Sequence, residues 1–142
     1  MAHIDDWAGL VAYLQAHHRG VQTFPGDRLR FGYDHEGVEH AIGAQVLLSA
    51  TRAPWISFAT KLCPVEQFRT RSALVANVDL PIGGLAIAGD HAVLRQSLPL
   101  RGLAEADLEH ALRALVTFAA QLRAVAVAED VDIDTPYAYL FA

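Results

Sequence analysis

The fold of this chain turns on residues 28–62, RLRFGYDHEGVEHAIGAQVLLSATRAPWISFATKL. Leu29, Phe31 and Tyr33 alternate with Arg28, Arg30 and Gly32, the period-two pattern of a strand buried on one face. Asp34–Gly37 reads as a turn. A second strand runs from Val38 to about Ser49, with Val38, His40, Ile42, Ala44, Val46 and Leu48 on one face. A third covers Trp55–Leu62, where Ile56, Phe58 and Leu62 alternate with Trp55, Ser57 and Lys61. Strands joined in succession by short turns predict an antiparallel meander.

Working outward, Ile4–His18 reads as a helix on the spacing of Ile4, Trp7, Val11 and Leu14, with Asp5 and Asp6 in its first turn and Gly20 as its stop. Pro25-Gly26 marks the turn before the meander. Beyond Pro64, Val65–Ala76 reads as a second helix through Val65, Phe68, Leu74 and Val75. Leu85–Ala88 and Ala92–Leu98 form a hairpin around Gly89-Asp90, the last strand ending at Pro99. The strongest helical signal is Ala104 to about Ala128, where Leu108, Leu112, Leu115, Ala119 and Leu122 keep the a/d spacing of a packing seam. Glu105, Asp107 and Glu109 near its start and Arg123 near its end both complement the helix dipole. The predicted order is therefore α-β-β-β-α-β-β-α. This is an α+β domain spanning 1–142, with an antiparallel sheet and helices packed mainly on one face. Its last stretch, 129–142, is first acidic and then aromatic, and such a tail either docks on the domain or meets a partner.

Composition narrows the function. The 142 residues are 53% hydrophobic and 19% charged, enough apolar material for a packed core and too little charge for disorder. The formal net charge is −5, with the excess acid in the C-terminal half and densest at Glu129, Asp130, Asp132 and Asp134. There is no basic stripe to meet phosphates, so nucleic acid is not expected as a partner. No uncharged run exceeds the twelve residues of His40–Thr51, far short of the roughly 20 residues of a membrane helix. Met1–Gly9 carries two aspartates and no Lys or Arg, against the pattern of a signal peptide. The expectation is a cytoplasmic protein with no membrane partner.

Nothing in the chain spells out catalysis. His17 and His18 are adjacent and point about 100° apart on a helix, so they cannot share one ion. His35 and His40 fall on opposite faces if both lie in one strand, and no HExxH pair occurs. The single Cys63, with only Lys61 nearby, reads as a structural thiol. Leu80-Pro81-Ile82-Gly83-Gly84 lacks the lysine of a phosphate loop. The densest titratable group, Asp34, His35, Glu36, Glu39 and His40, could furnish a general base, and a small enzyme or ligand-binding protein built on it is one alternative. The main expectation is that there is no catalytic residue, no metal and no cofactor.

A binding surface is easier to find. If helices cover the face of Ile56, Phe58 and Leu62, alternation puts Trp55 on the other face, where Leu47 joins it and Arg28, Arg30 and Lys61 border the patch. Tryptophan beside aliphatic and arginine neighbours is the composition of protein interfaces.

Three further stretches carry a family likeness: Leu74-Val75-Ala76-Asn77, then Leu80-Pro81-Ile82-Gly83 entering the hairpin, then Leu98-Pro99-Leu100-Arg101-Gly102-Leu103 before the long helix. With the order of elements, they resemble the type III secretion chaperone-like superfamily, which includes secretion chaperones and YbjN-like proteins. The resemblance implies a small, acidic, bacterial homodimer without enzymatic activity that binds an extended segment of a partner or effector protein, partly by adding strands to its sheet. A YbjN-like regulator acting on a folded partner is the other role it implies.

Overall fold

The alternation in residues 28–62 becomes the middle of a six-stranded antiparallel sheet. The computed structural model describes residues 2–127 and 137–141. In chain order it runs β1 (His3–Ile4), α1 (Trp7–His17), β2 (Arg19–Phe24), β3 (Arg28–His35), β4 (Val38–Leu48) and β5 (Pro54–Pro64). After β5 come α2 (Thr70–Ala76), β6 (Gly84–Ala88), β7 (His91–Pro99), β8 (Leu103–Ala104) and α3 (Glu105–Val127). The sheet order is β2-β3-β4-β5-β7-β6, and β1 pairs with β8 in a separate two-residue ladder. The expected α+β class, with the meander and the hairpin, is present.

One face of the sheet is dry. Leu29, Phe31 and Tyr33 of β3, Ile42 and Ala44 of β4, Ile56 and Phe58 of β5 and Leu94 of β7 are buried together. The α3 seam of Leu108, Leu112, Leu115, Ala119 and Leu122 packs into the same core. Truncating one such leucine costs about 2–5 kcal/mol, since the cavity left behind cannot fully collapse. The ends of β4 depart from the burial expected of that face: Val38 and Leu48 are exposed.

Four local expectations are corrected. First, α1 begins at Trp7, because Asp6 is its N-cap and accepts from the Gly9 amide at 2.8 Å, while Asp5 accepts from the Gly102 amide. Ile4 lies in β1, and the buried residues of α1 are Leu10, Tyr13 and Leu14, so the buried stripe is rotated from the one expected. Second, Gly20 is not the helix stop: α1 ends at His17, and Gly20, at φ +62°, lies within β2, where the pairing with β3 shifts register, and β2 is an edge strand absent from the expected order. Third, Val65–Ala76 is not one helix. A single 3-10 turn at Val65–Gln67 is followed by extended Phe68, which bridges to Phe141, and only then by α2. Fourth, His35 and His40 lie on two strands joined by a hairpin, and their ring centroids are 6.3 Å apart on the helix side of the sheet.

The aromatic end of the chain docks on the domain. Leu140 is fully buried, Phe141 packs on Phe68, Tyr137 meets Phe118 edge-on, and the Leu140 carbonyl accepts from the Arg69 amide at 2.8 Å. The acidic run Glu129–Asp134 lies outside the described residues. No described helix is long and apolar enough to cross a membrane.

The uncovered face of the sheet

Because α1 and α3 share one side, every second residue of the central strands points away from them. Register sorts these residues into rows. Leu47 stands opposite Trp55, which stands opposite Pro99. The next row runs Phe24, Arg28, Gln45, Ser57, Ser97, and the row after it Gln22, Arg30, Gly43, Ala59, Arg95. Residues directly opposite in an antiparallel ladder share a face with their Cβ atoms about 5 Å apart, so each row is one continuous surface. Phe24 is 44% exposed, Leu47 37% and Trp55 36%. The structure thus brings Trp55, Leu47, Arg28, Arg30 and Lys61 onto one face. It adds Phe24 and Arg95, which sequence reasoning missed because β2 was not recognised and Arg95 was placed in the hairpin without a face.

Small residues make this face concave. Gly43 and Ala59 form a shared floor for two hollows, one of about 280 Å³ beside Phe24 and Arg28, the other of about 380 Å³ beside Arg30 and Lys61. The second hollow exists because the sheet parts. β4 and β5 pair only from Leu48↔Pro54 to Gly43↔Ala59, whereas β4 stays on β3 as far as Val38 and β5 on β7 as far as Pro64.

Arg123 of α3 fills the parting from the helix side. Its Nε and Nη2 donate to the Lys61 carbonyl at 2.8 and 2.6 Å, Nη2 also to Thr60 Oγ1 at 2.7 Å, and Nη1 to His40 Nδ1 at 2.9 Å. The Thr60 hydroxyl donates to the Ala41 carbonyl at 2.9 Å, so the separated strands remain bridged. By sequence Arg123 reads as a helix-end cation; three non-local partners give it a different part. Burial first, then the Arg123 guanidinium and the His35 ring, hold the His40 imidazole below its ordinary pKa, which suits a ring that must stay neutral to accept from arginine.

A second titratable cluster ties elements together. Glu109 of α3 accepts from Tyr13 and pairs with His18, each at 2.7 Å, tying α1 to α3. Burial opposes the Glu109 charge, but the bonds from His18 and Tyr13 overcome it and keep the carboxyl below its usual range. Burial, reinforced by Glu66, pushes the Cys63 thiol up, the reverse of what a nucleophile needs. Asp34 pairs with Arg19 at 3.1 Å and His35 approaches Glu36, so the Asp34–His40 group splits between the two faces instead of converging on one point. Among the described residues no group of three or more His, Cys, Asp or Glu is arranged to hold a metal.

A second apolar area lies away from this face. α2 buries Ala73 and Ala76 and exposes Leu74 (66%) and Val75 (64%), with Val78 just beyond. Asn77, at its end, bonds both the amide and the carbonyl of Leu85, closing the outer edge of β6 at that residue.

No family model matches the chain, and no curated protein does. Among solved structures it is similar to a chain of the "HopA1-SchA Chaperone-Effector Complex", at 12% identity and a TM-score of 0.57, covering 84% of this chain and 98% of that one. At that identity the likeness is one of fold alone.

Proposed function

We propose that this chain is a non-enzymatic, chaperone-like protein-binding domain that holds an extended segment of a partner protein across the uncovered face of its sheet. The observation that carries the reading is the row structure of that face. Phe24, Leu47 and Trp55 stay open to solvent although a fully dry core lies one strand-thickness away. An exposed apolar face on a soluble domain is either used or protected. Beside it β2 is an edge strand, exposed along nearly its whole length, with backbone groups free to pair with an added strand. The fold likeness to a chain of a chaperone–effector complex supports the same role.

The domain acts as a homodimer in this reading, with Leu74, Val75 and Val78 as the contact. Three exposed aliphatic residues around one short helix favour a like surface, and using α2 for the dimer leaves the sheet face free.

The test is capture of partners from native lysate, followed by protease treatment of the complex. Recovery of a protein whose protected region is one continuous segment supports the proposal. Recovery only of folded proteins with no protected segment refutes it. For the dimer, Val75→Glu is expected to halve the mass measured in solution; an unchanged mass places the contact elsewhere.

A further inference from the structure

We propose that the partner segment is acidic, and that the cleft between β4 and β5 is an anchoring pocket for one of its carboxylate side chains. The inference rests on the reading of the uncovered face given above, and adds to it the chemistry of the occupant.

The charge of this face runs against that of the molecule. The chain carries −5 overall, yet the middle rows of the face hold Arg28, Arg30 and Arg95, with Lys61 in the next row, and no acid. The acids that share the face, Asp34 and Glu39, sit opposite each other at the hairpin end. There Asp34 is taken by Arg19, and the Glu39 side chain lies over Gly32. Among the described residues no carboxylate comes within ion-pair distance of Arg28, Arg30, Lys61, Arg95 or Arg123.

Part of this charge borders the cleft. Arg30, Lys61 and Arg123 line one hollow of about 380 Å³ whose floor is made of Ala41, Gly43 and Ala59. Arg123 is fixed there by the Lys61 carbonyl, Thr60 and His40. A guanidinium has five N–H donors and these partners take four, which leaves one on Nη1 for an incoming acceptor. A cation held in place beforehand, with apolar walls around it, gives a charge-assisted hydrogen bond more than a surface lysine can, because little order is lost when the bond forms. An extended segment alternates its side chains, so one face of it can set a carboxylate into the cleft and an apolar residue over Trp55 and Leu47. Three cationic residues lining one hollow, Arg30 among them with its Nε donating to Gln22 Oε1 at 2.7 Å, suit a single carboxylate; a nucleic-acid backbone needs a continuous stripe.

The proposal is tested with labelled synthetic peptides alternating threonine with Glu, Gln or Lys around one central leucine, titrated into the full chain by fluorescence anisotropy. The Glu peptide is expected to bind at least tenfold more tightly than the Gln peptide, the Lys peptide not at all, and the preference to shrink at high salt. Arg30→Glu with Lys61→Glu, both exposed changes whose folding is checked by thermal denaturation, should erase the preference. Equal binding of the Glu and Gln peptides overturns the carboxylate pocket but leaves the segment-holding face standing. A Glu preference untouched by the double variant also overturns it, as does a single-stranded oligonucleotide that binds the same cleft more tightly than the Glu peptide. If no peptide binds at all, the reading of the face falls with the pocket.

Discussion

The two faces of this sheet are built from the same strands and differ in almost everything else. On one, Ile42, Ile56, Phe58 and Leu94 reach zero exposure under α1 and α3. On the other, residues one position along, Trp55, Ser57, Ala59 and Leu47, lie under no helix. Since a strand's side-chain period is two, a single stretch of sequence writes both surfaces at once, and a slip of one residue would exchange them. The apolar residues on the uncovered side are therefore not leftovers of core building, because core building is complete without them.

Substitutions that treat the faces alike should give opposite outcomes. The largest expected effect is Phe58→Ala, a cavity at the centre of the covered face, destabilising by about 3–5 kcal/mol in urea unfolding. Trp55→Ala is expected to cost less than half as much, and equal costs would erase the distinction between the faces. Glu109→Ala should follow at about 2 kcal/mol, because it strips Tyr13 and His18 of their shared acceptor and loosens α1 from α3. A stability unchanged by that substitution would show that the tie carries no weight.

The next effect is a slope with pH. His40 is held below its ordinary 6.5, so below that pH the unfolded chain takes up a proton that the folded chain refuses. Stability should therefore fall as pH drops from about 6.5 towards the lower folded value, and level off beneath it. His40→Gln, which can still accept from Arg123, is expected to flatten that slope; a slope that persists assigns it to another group. Further down, Glu109 adds a loss of its own as pH falls through 4.5 and below, since its carboxylate is the form the fold favours. The smallest effect is Val75→Glu on α2, which should change the stability of the monomer by no more than about 0.5 kcal/mol because the side chain is exposed.

Much of this was legible in the sequence where the cause is local. Alternation gave the meander and assigned Trp55 and Phe58 to different faces, and the a/d spacing of Leu108 to Leu122 gave α3. What was not legible depends on partners far along the chain. β2 has little burial to write a pattern, so RGVQTF reads as a connection. The helix expected at Val65–Ala76 is cut short because Phe68 is held extended by Phe141. The cleft needs α3, β4 and β5 at once: nothing near Arg123 in sequence announces Thr60 or His40. Polar spacing suggested a general base at Asp34–His40, while the fold sends those side chains to separate faces.

The most direct measurement is the affinity of a captured partner segment for the native chain and for Trp55→Ala, made alongside urea unfolding of both. The account predicts that the variant stays folded and loses about 2 kcal/mol of binding, roughly thirtyfold in Kd. A stable Trp55→Ala chain that holds the segment as tightly as the native one would contradict it.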